Sequence, residues 1–303
     1  MSVMPKDQAA ELRQLMQSFE VGSREAAEVS DFESASCAKA AHVVAIASGK
    51  GGVGKTNIAV NLAIRLSQTG HRVVLVDADL GTANVDVVMN IQSSYDLSHV
   101  LRRQRAIEDI AVQVDARLRL IVGASGLESV ADLGPFERQE LIEELGGLER
   151  QCDIILLDCG AGISQNVLAF AQAADEALIV TTPEPTAITD AYALVKVLSR
   201  TNKAPPLGLI VNQAATVREA RQVTERIVSV AARFLKVPIE GTGQILRDHH
   251  VGQAVRERVP LILKYPRCPA SNGLSTLAKR VGQSLNGTNS KPGFFRRVLN
   301  FFD

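Results

Sequence analysis

Tryptophan is absent from this chain of 303 residues, and only four cysteines occur, Cys37, Cys152, Cys159 and Cys268. No two of them form a C-x-x-C pair, so neither a zinc knuckle nor a dithiol redox site is written in cysteine spacing. No stretch reaches the roughly 18 consecutive apolar residues that a membrane-spanning helix needs. An N-terminal signal peptide is not recognisable either, and with so few thiols the expected setting is a reducing cytoplasm. Charge of one sign is also missing. Lys+Arg and Asp+Glu both total 33, so no chain-wide field exists to hold a polyanion, and a nucleic-acid partner is not expected. Arg218, Arg221 and Arg226 share one expected helix, but helices carry such charges routinely.

What is present is apolar sequence in short, regular portions. Runs rich in Val, Ile and Leu at 43–48, 72–77, 118–122, 153–158, 177–182 and 207–212 have strand length. Helical patterns fall between most of them, at 56–68, 136–150, 165–174, 187–200 and 217–234. Near-continuous apolar strands alternating with helices imply an α/β fold, a mostly parallel sheet with helices on both faces. Ligands of such sheets sit at the carboxyl ends of the strands. The expected organisation is a helix in 1–20, a Glu/Ser/Ala-rich linker in 21–41, one α/β domain in 42–286, and a linker with an amphipathic tail in 287–303.

Gly49, Gly54, Lys55 and Thr56 satisfy G-x-x-x-x-G-K-[ST] between the first strand and the first helix. Glycines let the backbone curl until successive N–H groups face phosphate oxygens, and the following helix adds its positive end. Gly49, Gly51, Gly52, Val53, Gly54, Lys55, Thr56 and Asn57 are therefore expected to cradle a nucleotide. Lys55 should reach the β- and γ-phosphates, and Thr56 should ligate Mg²⁺. Two strand-end carboxylates, Asp77 and Asp158, are candidate metal-side acids, with Asp79 two residues beyond the first. A strand-end Asp can also be a helix cap or turn former.

Lys50 inside Gly49-Lys50-Gly51-Gly52 is the additional lysine of the deviant Walker A motif. With Asp77-Ala78-Asp79, Asp158-Cys159-Gly160-Ala161-Gly162, Glu184-Pro185-Thr186 and Tyr265-Pro266-Arg267, the chain resembles the FlhG (FleN) flagellar-number regulators of the MinD/ParA ATPase class. That resemblance spans about residues 42–285. It implies a SIMIBI-type P-loop fold, ATP and Mg²⁺ as cofactors, and a face-to-face homodimer in which Lys50 reaches the partner's nucleotide. It further implies that Asp79 positions the attacking water and that Asp77 and Asp158 hold Mg²⁺ through its water shell. Asn84 would be a switch residue near the γ-phosphate, and Asn212 would read adenine. Lys50, Asp79 and Lys55 are thus the catalytic candidates. The sequence departs from the family pattern at Leu246, where relatives usually carry Pro, and at Cys159, where they commonly carry Thr or Ser.

The ends add two expectations. Asp7, Gln8, Ala9, Leu12 and Arg13 fit D-Q-A-x-x-L-R, which by the same resemblance stimulates an FlhF-type GTPase of the signal-recognition-particle class; an ordinary helix docked on its own domain is the alternative. In the tail, Phe294, Phe295, Val298, Leu299, Phe301 and Phe302 would form one apolar helix face suited to a membrane surface. A tail packed into a groove of its own domain is the alternative. Rival functions are a MinD- or ParA-like positioner of another cargo, an iron–sulfur carrier on the same fold, and a nucleotide-locked scaffold without hydrolysis. The iron–sulfur role asks for paired thiolates that the spacing does not supply.

Overall fold

A computed structural model of the chain describes residues 40–79, 84–123, 146–200, 204–285 and 293–299. The expected helix in 1–20, nearly all of the linker, residues 80–83, most of the expected helix 136–150 and the last four residues lie outside that set. Among these residues eight strands form one sheet in the order β3-β4-β2-β5-β1-β6-β7-β8. In chain order they are β1 (His42–Ser48), β2 (Val73–Ala78), β3 (Val112–Asp115), β4 (Leu118–Ile121), β5 (Ile154–Ala161), β6 (Glu176–Thr181), β7 (Leu207–Ala214) and β8 (Ile239–Leu246). Every neighbouring pair is parallel except β3 with β4. This is the expected α/β sheet. All six expected strands are present, and β3 and β8 are additions at its two edges.

The helices are α1 (Lys55–Gln68), α2 (Val85–Met89), α3 (Leu97–Leu101), α4 (Ile107–Ile110), α5 (Gln165–Ala173), α6 (Pro185–Leu198), α7 (Val217–Phe234), α8 (His249–Arg256), α9 (Leu261–Lys264), α10 (Pro269–Ser284) and α11 (Phe294–Leu299). Successive residues of a strand point to opposite faces, and the sheet uses both. Val43, Ala45 and Ala47 join a core with α5, α6, α7 and α11, whereas Val44 and Ile46 join a second core with α1 and α10. Burial on two sides is why the inner strands read as unbroken apolar runs.

The tail departs from its expected state. Phe294, Phe295 and Val298 of α11 are buried on the domain, not open to the surroundings. Phe294 stacks on Phe170 of α5 with ring centroids 6.5 Å apart. Glu149 accepts the N–H groups of Phe294 and Phe295, both at 3.1 Å, and so caps the first turn of α11. Arg297 donates to the Ala173 carbonyl at 2.7 Å and to the Asp175 carboxylate at 3.0 Å. An aromatic face with a groove and polar partners at hand is covered by its own domain, because that removes it from water without a second molecule.

Candidate functional site

β1 lies at the centre of the sheet between β5 and β6, so the loop leaving its carboxyl end is flanked by strand ends on both sides. That loop runs directly into α1, whose N-cap is Gly54 at φ 93°. A Cβ on Gly54 would stand 2.5 Å from the Asn212 amide nitrogen, and one on Gly49 would stand 2.1 Å from the Asp190 carbonyl oxygen. The backbone is pressed against neighbours at both positions, which only glycine permits. Ser48 steadies the entry by donating its hydroxyl to the Lys50 carbonyl at 2.7 Å, and the Gly162 N–H reaches the Ser48 carbonyl at 2.8 Å. Val53 is buried under the loop, and Asn57 lies in the first turn of α1.

Asn212 connects the loop to β7. Its side-chain amide donates to the Val53 carbonyl at 2.8 Å, and its carbonyl oxygen accepts from the Gln213 N–H at 2.9 Å. Both ends of the amide are thus engaged with backbone, one of them 159 residues away in sequence.

The acids gather beside the loop. β2 and β5 are neighbours in a register that sets Asp77 directly against Asp158, and β1 flanks Asp158 on its other side at Ile46. Both carboxylates are 1% exposed. Asp77 accepts three backbone N–H groups, from Asp79 at 3.1 Å, Asn84 at 3.0 Å and Val85 at 3.1 Å. It therefore organises the turn that leads into α2, which is the cap-like use of a strand-end acid. Burial nevertheless pushes its pKa up to about 6, against the pull of those hydrogen bonds. Asp158 receives a hydrogen bond from the Thr56 side chain, and burial raises its pKa to about 7, with Asp77 adding to the rise and Lys55 opposing it. Its Oδ1 is buried with no hydrogen-bond partner.

Lys55 itself is only 8% exposed. Asp79 lies across from β5, its Oδ1 3.3 Å from where a Cβ on Gly160 would be. Asn84 stands at the N-cap position of α2 without capping through its side chain. The sheet thus brings together Lys55, Thr56, Asp77, Asp79 and Asp158.

Three acids around one buried ammonium leave negative charge unbalanced. An oxygen-rich set of this kind, with one buried carboxylate oxygen unpartnered, fits a hard divalent cation such as Mg²⁺. Thr56 and Asp158 are the residues whose oxygens face each other there.

Lys50 sits apart, on the outer rim. Its ammonium is held within its own chain by the Glu184 carboxylate and the Thr186 hydroxyl, both at 3.0 Å. The lysine and glutamate side chains are 40% and 63% exposed, so the pair is a surface contact of about 0–1 kcal/mol that a stronger anion displaces. Sequence reasoning used Glu184 and Thr186 only as parts of a family pattern and missed this role. A strand end followed by Glu-Pro-Thr, with Pro185 opening α6, is the signal that places two acceptors at that rim. Cys159 is fully buried next to Asp158, which pushes its thiol well above the ordinary range and leaves it unreactive.

Comparison with known proteins agrees with this geometry. Residues 39–282 match the ParA family model, described as NUBPL iron-transfer P-loop NTPase. The chain is 37% identical to the antiactivator FleN of Pseudomonas aeruginosa over 79% of its own length and 85% of that protein's. It is 36% identical to the flagellum site-determining protein YlxH of Helicobacter pylori, over 85% and 90% of the two lengths. Among solved structures, the septum site-determining protein MinD complexed with Mg-ADP from Pyrococcus horikoshii superposes with a TM-score of 0.64 at 26% identity, over 80% of this chain and 96% of that one. This chain belongs to the MinD/ParA family of ATP-hydrolysing P-loop proteins, in its FleN/FlhG branch.

Proposed function

We propose that this protein is an ATP-driven switch that dimerises on Mg-ATP, hydrolyses it to ADP and phosphate, and through that cycle sets flagellar number or placement. The observation that carries the reading is the buried, unpartnered Asp158 Oδ1 beside Thr56, at the foot of a phosphate loop whose outer lysine, Lys50, is only loosely held. The flagellar part rests on likeness to FleN and YlxH, which the chain matches over most of their lengths.

In this scheme the backbone of 49–56 and the Lys55 ammonium hold the phosphates, Thr56, Asp77 and Asp158 would hold Mg²⁺, and Asp77 also keeps the turn before Asn84 in place. Mg²⁺ held by these residues would supply charge neutralisation of the phosphates. Asp79 orients the attacking water; phosphoryl transfer needs positioning and charge stabilisation more than a strong base. Lys50 leaves Glu184 and binds the phosphates held by the partner, so that one cation joins two subunits that would otherwise repel. Asn84 responds to the γ-phosphate, and Asn212, near the end of β7 with its amide on the Val53 carbonyl, reads adenine.

Two ends complete the switch. Asp7, Gln8, Ala9, Leu12 and Arg13 contact an FlhF-type GTPase. The segment 287–303 attaches the protein reversibly to the inner face of the cell membrane from the cytoplasm. Because α11 is docked, membrane contact requires it to leave its groove first. An iron-carrying role is disfavoured, since Cys152, Cys159 and Cys268 are all buried and none pairs with another. The test is phosphate release and light scattering with Mg-ATP. Wild-type protein is expected to turn over and to double in mass, and Lys50→Ala to remain monomeric. An unchanged ATP dimer in that variant overturns the scheme.

A further inference from the structure

Asp248, His250 and Cys268 meet between two helix starts, at the side of the domain where β8 ends. Asp248 is the N-cap of α8, and Cys268 is the N-cap of α10. Potential ligand atoms of the three all lie within 4.8 Å of one another. Asp248 Oδ1 is 2.7 Å from His250 Nδ1, and its Oδ2 accepts the Ala270 N–H at 3.2 Å. Cys268 Sγ lies 3.3 Å from the Ser271 hydroxyl and accepts the Ser271 N–H at 3.4 Å. His249 Nδ1 stands 3.9 Å from Asp248 Oδ1, on a side chain that is 75% exposed.

A second layer of contacts orients this cluster. The His250 ring packs against Tyr265 at 4.4 Å and against His249 at 3.9 Å. Tyr265 is fixed in turn, its hydroxyl on Gln253 at 3.1 Å and its carbonyl on the Ser271 hydroxyl at 2.7 Å. Helix capping accounts for Asp248, which is among the best N-cap residues. It does not account for Cys268, because Ser, Thr, Asp and Asn all cap better than a thiol. Nor does it call for two histidines at the acid.

We propose that Asp248, His250 and Cys268, with exposed His249 completing the shell, bind a thiophilic divalent cation of the zinc type. One thiol, one carboxylate and two imidazoles are the donors that zinc takes in four-coordinate sites. Sulfur and nitrogen select such an ion over Mg²⁺, which the all-oxygen acids near Thr56 suit. On binding, the Cys268 thiol loses its proton to solvent and the sulfur–metal bond replaces the S–H bond, with no change of oxidation state. The site would clamp α8 to α10. It would also adjoin the P-loop helix through α9, whose Ile262 N–H is held by Asn61 of α1 at 2.8 Å. Reading cysteine spacing alone misses it, because the partners of Cys268 are two histidines and an aspartate about twenty residues earlier.

Cobalt(II) titration of the untagged, reduced, full-length chain without nucleotide or Mg²⁺ tests the proposal. One equivalent is expected to bind with a thiolate-to-cobalt charge-transfer band that zinc then abolishes. Cys268→Ser, which keeps and improves the cap of α10, is expected to lose the band, and His250→Ala to weaken binding by at least about tenfold. Zinc is expected to raise the melting temperature of the wild type and not of Cys268→Ser. Absence of the charge-transfer band overturns the site. So does a band that persists unchanged in Cys268→Ser, which would place the metal on another thiol.

Discussion

Asp158 is an acid whose charge the folded protein accommodates poorly until a cation arrives. A carboxyl whose folded pKa lies above its unfolded value is protonated in the native state while already ionised in the unfolded one. Stability therefore falls as pH rises from about 4 towards 7, the window between the unfolded value and the raised values of Asp77 and Asp158. The metal-free protein is expected to melt at higher temperature near pH 5 than near pH 8, and Mg-ATP should remove much of that difference. In Asp158→Asn the slope flattens, and the metal-free variant gains about 1–3 kcal/mol at pH 8, the scale of relieving an unmet buried group. Its Mg-dependent turnover should fall by at least about 100-fold. A steep pH slope surviving in that variant would assign the effect elsewhere. Lys50 supplies a second expectation. Breaking its pair with Glu184 should release about 0–1 kcal/mol, so Glu184→Gln should dimerise at up to about fivefold lower ATP in light scattering. The lysines and glycines of the loop were legible in sequence because phosphate binding demands those types at that spacing. The engagement of Asp77 with three N–H groups and of Asn212 with Val53 was not, because both depend on which distant backbone the sheet brings alongside.

Elements were legible where two-sided burial left no choice of residue. β1, β2, β5, β6 and β7 are buried almost throughout and announce themselves as apolar runs. β8 is an edge strand, half exposed, carrying Glu240, Gly241, Thr242, Gly243 and Gln244 in its middle, and nothing in its composition marks a strand. α10 was missed for a related reason. Its Ser, Asn and Gly content is poor in helix formers, and its helicity comes from packing Leu274, Leu277, Ala278 and Val281 beneath the sheet. The tail shows the converse, an amphipathic pattern read correctly as a helix but assigned an outside surface. Burying Phe294, Phe295 and Val298 contributes roughly 1.5–3 kcal/mol each before ordering is subtracted. Membrane contact must recover what undocking gives up. Arg297→Ala removes the contacts to Ala173 and Asp175 and should raise the fraction of protein sedimenting with anionic vesicles by a few-fold. Deleting residues 294–303 should abolish sedimentation while leaving ATP binding intact. Equal sedimentation of wild type, Arg297→Ala and the deletion would remove the tail from membrane attachment altogether.

At the scale of the whole molecule, the family match begins at residue 39, so the segment carrying Asp7, Gln8, Ala9, Leu12 and Arg13 stands before the matched ATPase domain. The helix expected there, about fifteen residues long, would be marginal alone in water, and the apolar stripe its spacing predicts, Ala9, Leu12, Met16 and Phe19, would need a surface to justify order. If that surface belongs to an FlhF-type GTPase, a peptide of residues 1–20 should accelerate GTP hydrolysis by that enzyme, and Leu12→Ala should reduce the effect. If it belongs to this protein's own domain, the peptide should leave the GTPase unchanged, and removing residues 1–20 should lower the melting temperature. The two outcomes are distinct because, among the described residues, the ATP site is held by contacts within the ATPase domain. Its acids, its loop and Lys50 are all held by contacts within 41–285. A chain lacking residues 1–20 is therefore expected to dimerise and hydrolyse ATP like the full chain. With no GTPase response to the peptide, the flagellar reading gives way to a MinD-like positioner of another cargo, while the ATPase stands. With a response, one chain links an ATP-timed assembly to a partner's GTP cycle through a segment that lies before the family match.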